Sequence, residues 1–176
     1  MKIYFAGPDI FRPDVAQWAI ETRALCERFG HTALLPTDCA ETEPGAIFRA
    51  NIASIQAAEL VLANLNPFRG VEPDSGTCVE VGYGLALGKR VLGYVSSTAS
   101  TVERVIGWQG APATRRGGRI TDRAGFAIED FGLPLNLMLA IPVPLVAGGI
   151  AECLAHLRTN TCPTDEPTSV NTGNNA

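Results

Sequence analysis

The sequence predicts a single α/β domain: an open sheet of about five mainly parallel strands with helices on both faces. Two observations lead to this prediction. Short apolar runs alternate along the chain with longer segments whose apolar residues recur at helical spacing, and this alternation is typical of a parallel sheet. The length of 176 residues also suits one domain with a substantial core.

The first strand and the first helix are predicted from opposite patterns. Three β-prone residues in succession favour a central strand over Lys2–Ala6, which Gly7-Pro8 ends. Between Pro13 and Phe29, apolar residues recur at helical spacing with charged residues between them. Gly30 then follows as a helix-terminating signal.

The same contrast predicts five further elements. They are a strand at Thr32–Leu35, a helix at about Ala46–Ala58, a strand at Leu60–Leu65, a helix at about Gly76–Leu87 and a strand at Arg90–Val95. In the helix at 46–58 the expected buried face consists of Ile47, Ile52 and Ile55. This order favours a flavodoxin-like or Rossmann-like sheet.

The pattern weakens after residue 95. Ser96–Asp130 is rich in Gly, Ser, Thr and Arg, which predicts a lid, a binding loop or a mobile segment. One or two helical turns are expected at Pro134–Ala140, a fifth strand at Val143–Val146 and a last helix at Gly149–Arg158. Residues 159–176 offer almost nothing to bury, so we expect a domain over 1–158 and a disordered tail.

Composition excludes several classes of partner. The net charge of −4 and the pI near 5.2 argue against nucleic-acid binding and against a basic membrane-binding helix. The N-terminal apolar run is too short for the core of a signal peptide, and no segment approaches a membrane span of roughly 18 apolar residues. We therefore expect a cytoplasmic protein with a small-molecule ligand.

The cysteines and histidines predict neither disulfides nor a metal site. The five cysteines are odd in number and show no C-x-x-C spacing, which favours free thiols in a reducing compartment. His31 and His156 have no partner at ligand spacing. We expect no metal and no cofactor.

A candidate binding corner follows the third predicted strand. A Pro/Gly-rich loop at 66–74 leads into a helix N-terminus and carries Asp74, with Glu80 near the first turn of the helix. Small residues such as Gly7 and Gly76 would let a substrate approach the backbone. The ends of the first two strands, at Gly7 and Asp38, are expected to converge on the same cleft.

The two carboxylates of this corner allow a chemical and a structural interpretation. Glu80, placed near a helix N-terminus, is expected to be favoured as the anion and so available as a nucleophile. Paired carboxyl groups are the usual apparatus for cleaving a glycosidic bond, with Asp74 as the partner acid. Alternatively Asp74 is only a helix N-cap and Glu80 only a first-turn acid. Spacing alone leaves both interpretations open.

Four ordered blocks resemble the nucleoside 2-deoxyribosyltransferase family. They are I-Y-F-A-G-P at 3–8, L-P-T-D at 35–38, N-P-F-R-G-V-E-P-D-S-G-T-C-V-E-V-G at 66–82 and D-F-G-L-P-L-N-L-M-L at 130–139. The resemblance covers roughly residues 2–158. It implies a double displacement on a nucleoside that needs no cofactor.

The resemblance also implies roles for individual residues. Glu80 matches the nucleophile that attacks C1′, Tyr4 a tyrosine that orients it, and Asp74 the acid that protonates the departing base. Asn136 matches an asparagine that reaches the neighbouring subunit's site, which implies a homo-oligomer, either a dimer or a multiple of dimers. Asn51 stands where many members carry an aspartate, which bears on the 2′ substituent that is accepted.

The base side of the site is less sharply indicated. Asp38 or Thr37 is a candidate for the position of the base-side glutamine that some members carry. Phe68 is a candidate for stacking on a nucleobase. A plain structural role, as a loop aromatic that fills the core, is equally compatible with its position.

Four functions follow from the sequence. The leading one is transfer of 2′-deoxyribose from a nucleoside to a free nucleobase. The second is hydrolysis on the same scaffold, with 2′-deoxyribose, ribose or 2′-O-methylribose passed to water. The third is a phosphoribohydrolase of nucleoside 5′-monophosphates, whose phosphate would need Arg69 or the arginines at 115–119. The fourth is a non-catalytic nucleoside-binding module.

Overall fold

The computed structural model describes residues 1–110, 112 and 114–159. Its larger sheet has five parallel strands in the order β2-β1-β3-β4-β7, which confirms the predicted α/β open sheet. The strands are β1 (Lys2–Ala6), β2 (Thr32–Leu34), β3 (Leu60–Asn64), β4 (Arg90–Val95) and β7 (Leu145–Ala147). The helices are α1 (Val15–Arg28), α2 (Pro44–Ala57), α3 (Ser75–Ala86), α4 (Thr101–Gln109), α5 (Leu137–Ala140) and α6 (Ile150–Thr159).

The two faces of the sheet pack against different helices. Successive side chains of a strand point to opposite faces. Ile3 and Phe5 of β1 therefore join the hydrophobic cluster that includes α1 and α6. Tyr4 and Ala6 join the cluster on the other face, which includes Ile55 of α2 and Val81 of α3. The alternation in β1 thus directs Tyr4 towards α3.

The segment 96–130, predicted as a lid, a binding loop or a mobile segment without regular elements, does contain regular secondary structure. The segment contains α4 and a two-stranded antiparallel hairpin, β5 (Thr114–Arg116) paired with β6 (Arg119–Thr121). Helix α4 begins with a capping box, in which Ser100 and Glu103 satisfy each other's backbone N–H groups. It ends at Gly110, whose φ of 63° is left-handed. Both signals are visible in the sequence.

The C-terminal elements differ from the predictions in detail. Strand β7 lies at Leu145–Ala147 rather than 143–146. The expected short helix at 134–140 is α5, and the expected last helix is α6. Thr159 belongs to α6, and the rest of the predicted tail lies outside the described residues. The domain boundary at 158 stays a prediction.

No helix of the described residues is long and apolar enough to cross a membrane. Within the same part of the chain the cysteines are free thiols, namely Cys26, Cys39, Cys78 and Cys153. Cys162 lies outside it. Across the described ranges, no group of three or more His, Cys, Asp or Glu side chains could hold a metal ion.

Candidate active site

A pocket of about 430 Å³ lies at the carboxyl ends of the strands. Parallel sheets place ligand sites at this edge because loops from several strands meet there. The pocket takes residues from the turn after β1, the turn after β2, helix α2 and the start of α3. Its lining includes Gly7, Ile10, Phe11, Pro36, Thr37, Cys39, Glu41, Ile47, Asn51, Asp74, Gly76, Thr77 and Glu80.

The central contact of this pocket joins β1 to α3. The Tyr4 hydroxyl donates a hydrogen bond of 2.6 Å to Oε1 of Glu80. Tyr4 is fully buried in the sheet, so its ring cannot swing away from this partner. Among the described residues, Oε2 of Glu80 has no hydrogen-bond donor. One carboxylate oxygen is held in place and the other is left for a ligand.

The environment of Glu80 opposes its ionisation. Burial raises the pKa of Glu80 to about 7, the Tyr4 hydrogen bond lowers it, and the charge of Asp74 raises it again. The prediction that the helix dipole stabilises the Glu80 anion is wrong. Helix α3 begins at Ser75 and has no acidic residue in its first turn, and the dipole acts mainly within that turn. Burial of Tyr4 and the neighbouring Glu80 raise the pKa of Tyr4, which keeps the phenol protonated as a donor.

Asp74 is a helix N-cap, as the structural interpretation expected, and it also lies at the pocket. It is the N-cap of α3, and its Oδ2 accepts hydrogen bonds from the Thr77 backbone N–H at 3.0 Å and from the Thr77 hydroxyl at 3.2 Å. It also lines the pocket with Glu80. Within the described part of the chain its Oδ1 has no donor. The cap fixes the carboxyl group while one oxygen stays free.

Gly7 lines the pocket and packs closely against Asn64 and Asp9. A Cβ added at Gly7 would lie 2.8 Å from Cβ of Asn64 and 2.9 Å from Oδ2 of Asp9, so no larger residue fits. Asp9 is buried, and its Oδ2 accepts a 2.8 Å hydrogen bond from the Asn64 amide. Asp9 was not among the predicted site residues. It directly follows the first strand and Gly7-Pro8, and the same rule of polar residues at strand ends had selected Asp38 after the second strand.

The structure brings some base-side candidates to the pocket and not others. Thr37 and Asn51 line it. Asp38 does not, because its carboxylate accepts hydrogen bonds from the Arg23 guanidinium and from the Leu35 backbone N–H at 3.0 Å. Its neighbours Cys39 and Glu41 line the pocket instead.

Phe68 lies outside the pocket, against one of its walls. Its ring stacks on that of Phe11 with centroids 5.5 Å apart and an interplanar angle of 15°. The Arg69 guanidinium carbon lies 4.6 Å from the Phe68 centroid and 5.1 Å from that of Phe11. Phe11, which the sequence analysis did not consider, is the aromatic residue of this cluster that lines the pocket.

Asn136 also lies outside this pocket. It is the N-cap of α5, and its side-chain amide donates a 2.7 Å hydrogen bond to Glu129. It lines two other cavities of the chain, one of about 390 Å³ next to α4 and one of about 690 Å³ along α3. Within one chain, the structure does not bring Asn136 and Glu80 together.

Comparison with known proteins identifies the family. The model of the nucleoside 2-deoxyribosyltransferase family matches residues 3–138, a range that includes every residue assigned to the site above. The chain belongs to this family. Membership makes it an enzyme of nucleoside glycosyl transfer or cleavage, and the resemblance carried by the four sequence blocks is confirmed.

The chain is also similar to solved structures and to a protein known from its sequence. A 2-deoxyribosyltransferase from Leishmania mexicana is 34% identical with a TM-score of 0.75, covering 92% of this chain and 99% of that one. A CMP N-glycosidase from Clostridium botulinum has the same fold at 14% identity and a TM-score of 0.50, covering 90% of this chain and 99% of that one. An uncharacterized protein of Schizosaccharomyces pombe is 27% identical over 85% of this chain and 80% of its own length.

Proposed function

We propose that this deoxyribosyltransferase-family enzyme cleaves the N-glycosidic bond of 2′-deoxyribonucleosides through a covalent ester on Glu80 and transfers the sugar to a second nucleobase. The observation that carries the proposal is the Tyr4–Glu80 hydrogen bond of 2.6 Å at a pocket that Asp74 and Asn51 also line. The 2-deoxyribosyltransferase of Leishmania mexicana, similar over nearly its whole length, supports the same chemistry.

The two steps divide the work between two carboxyl groups. First, Oε2 of Glu80 attacks C1′, the C1′–N bond breaks, and its electron pair goes to the ring nitrogen, which takes a proton from Asp74. Second, a nitrogen of the incoming base attacks C1′, the ester bond to Glu80 breaks, and the proton returns to Asp74. Tyr4 holds Oε1 throughout, so the attacking oxygen keeps one orientation.

The pocket favours nucleosides over nucleotides. No arginine or lysine of the described residues lines it, whereas three acidic residues do, namely Glu41, Asp74 and Glu80. A 5′-phosphate placed there would meet like charge without a compensating cation. Arg69 is stacked on Phe11 and Phe68 at the outside of one wall. These observations disfavour the phosphoribohydrolase.

Asn51 keeps hydrolysis as the second candidate function. It lines the pocket at the position where many family members carry an aspartate. An amide still donates to and accepts from a sugar hydroxyl, but it carries no charge and takes up no proton. Different hydrogen bonds to the sugar would change which 2′ substituent fits. They would also change whether a nucleobase or water reacts first with the ester on Glu80.

The site is completed, in this proposal, by a second copy of the chain. Asn136 would contact the sugar hydroxyls of the neighbouring subunit's nucleoside, because it lies away from the Glu80 pocket of its own chain. The surface beside it is suited to an interface, because Met138 and Ile141, which follow Asn136 closely in the chain, are each 72% exposed. Apolar side chains grouped on a surface mark association sites.

A transfer assay tests the proposed function. The enzyme is incubated with a deoxynucleoside, with and without a second free base, and the nucleosides and free sugar are quantified. We expect a new nucleoside only when the acceptor is present, and the peptide containing Glu80 should gain the mass of a deoxyribosyl group after acid quenching without acceptor. Glu80→Gln should lose at least about a thousandfold in turnover.

The controls separate the alternatives. Glu27→Gln changes an exposed glutamate of α1 and should retain wild-type turnover. Free sugar released at the same rate with and without acceptor would show hydrolysis. A Glu80→Gln enzyme that binds nucleoside without any loss of turnover would contradict the proposed role of Glu80 outright.

A further inference from the structure

Arg104 of α4 joins two segments that carry proposed functional residues. Its guanidinium donates hydrogen bonds to the carbonyl oxygens of Val71 and Pro134. Val71 belongs to the loop at 66–74 that ends at Asp74, and Pro134 belongs to the segment that leads to Asn136. One side chain therefore contacts both segments directly.

The surroundings of Arg104 are unusual for a cation. The side chain is partly buried, and burial lowers its pKa while the charge of Glu72 raises it. Within the described part of the chain it forms no ion pair with a carboxylate. Removing a guanidinium from water costs free energy that two carbonyl hydrogen bonds only partly offset. Its two carbonyl contacts therefore serve to join the segments that carry them rather than to neutralise a carboxylate.

The middle of the loop at 66–74 is hydrogen bonded to the rest of the chain through Arg104. Asn66 at its start accepts a 2.7 Å hydrogen bond from the Ser96 backbone N–H, and Phe68 closes the loop on itself with a 2.9 Å bond to the Glu72 carbonyl. Among the described residues outside the loop, Arg104 alone hydrogen bonds to the stretch from 67 to 73. Without it, the stacking of Phe68 on Phe11 would still hold the first half of the loop, but no hydrogen bond from outside the loop would hold the half that leads to Asp74.

The contact between Arg104 and the Pro134 segment is supported by further hydrogen bonds. Thr101 at the start of α4 donates from its backbone N–H to the Leu133 carbonyl at 2.8 Å and from its hydroxyl at 3.2 Å. Helix α4 and the 133–134 segment are thus fastened together by Thr101 as well as by Arg104. Arg104 is the link from this unit to the Asp74 loop.

We propose that Arg104 is a positioning residue that fixes the Asp74 loop against the α4 and Asn136 unit, so that the acid is held where the departing base needs its proton. This inference rests on the proposed function. The planar guanidinium bridges two carbonyl oxygens at once, which the single ammonium of a lysine cannot reproduce. An acid displaced by about 1 Å can lose up to about a hundredfold in rate.

A double-mutant cycle tests whether Arg104 acts through Asp74. Arg104→Lys should lower kcat by about tenfold or more with a smaller change in KM. In an Asp74→Asn background the same change should cost less than about twofold, because there is no acid left to misplace. Asn still caps helices well, so Asp74→Asn preserves the start of α3. Arg28→Lys, at an exposed position in the last turn of α1, is the matched control and should leave kcat unchanged in both backgrounds.

Hydrogen exchange gives a second measurement that needs no turnover. Backbone amides of 66–74 should exchange faster in Arg104→Lys than in the wild type, while those of β1 and β3 stay protected. Equal losses of kcat in both backgrounds, or unchanged exchange in the loop, would overturn the inference. A wild-type enzyme without glycosyl transfer or cleavage would instead count against the proposed function. If Arg104→Lys does not fold, Arg104→Gln takes its place.

Discussion

At the scale of single residues, two opposing effects act on the ionisation of Glu80. In the proposed mechanism Glu80 must be ionised to attack C1′, yet burial raises its pKa to about 7. The Tyr4 hydrogen bond counteracts burial by stabilising the anion. A carboxylate with a pKa near neutrality is also a reactive one, since basicity and nucleophilicity rise together. Tyr4 therefore sets the fraction of enzyme that can react at a given pH.

A pH–rate profile of Tyr4→Phe tests this balance. The reactive form of Glu80 is the anion, so kcat/KM should fall as the pH drops through the Glu80 pKa near 7. Losing the hydroxyl donor should move this acid limb upward by about one pH unit. Turnover at pH 6 should then fall by about tenfold relative to the wild type, and less at pH 9.

Tyr94→Phe is the control for this profile. This substitution also removes a buried hydroxyl, but Tyr94 packs in the hydrophobic cluster on the face of the sheet opposite to Tyr4. Its profile should keep the wild-type midpoint. The same midpoint in Tyr4→Phe would mean that the hydrogen bond does not govern ionisation of Glu80.

At the scale of elements, local patterns predicted much of the chain before residue 96. Strands β1 and β4 have the predicted bounds, because short apolar runs between turn residues have few alternative structures. Strand ends also predicted which loops meet at the pocket, since parallel topology fixes that edge. Helix α4 was missed because the segment around it is rich in Gly, Ser, Thr and Arg, although Val102, Val105 and Ile106 recur at helical spacing and Ser100 and Glu103 form a capping box.

Side-chain environments could not be predicted in the same way. The pKa of Glu80 depends on burial by residues distant in sequence, and no local pattern contains that information. Asp38 was misplaced because its partner Arg23 comes from another element. Phe11 lines the pocket from a short turn whose position only the tertiary structure sets.

The turn after β1 shows how closely elements approach at this site. Gly7→Ala should destabilise the protein by on the order of 1–3 kcal/mol, because the new Cβ would lie 2.8 Å from Cβ of Asn64. It should also raise KM for the nucleoside, since Gly7 lines the pocket. Chemical denaturation and steady-state kinetics measure the two effects.

Gly107→Ala provides the contrast. Gly107 lies within α4 with nothing within 4 Å of an added Cβ. Alanine there should raise the free energy of unfolding by up to about 1 kcal/mol and leave KM unchanged. A Gly7→Ala enzyme as stable as the wild type would show that the Asn64 backbone yields easily at this contact.

At the scale of the whole molecule, the chain divides its proposed functional residues between two surfaces. Glu80, Tyr4 and Asp74 meet in or beneath one pocket, whereas Asn136 lies beside the exposed apolar residues Met138 and Ile141. A C2 dimer would repeat this arrangement, because each surface patch of a two-fold interface meets its own copy. Each site would then contain a nucleophile from one chain and an amide from the other.

Subunit mixing distinguishes a shared site from a self-contained one. Glu80→Gln supplies an intact Asn136, and Asn136→Ser supplies an intact Glu80 while keeping a side chain that caps α5. Each variant alone should be nearly inactive. Random pairing of the two variants into dimers should restore about one quarter of wild-type activity. Half of the dimers are mixed, and in each mixed dimer one of the two sites is complete. Glu80→Gln mixed with Asp74→Asn should show no such recovery, since both residues belong to the same pocket. Activity that fails to return when Glu80→Gln and Asn136→Ser are co-expressed would place Asn136 outside the neighbouring subunit's site.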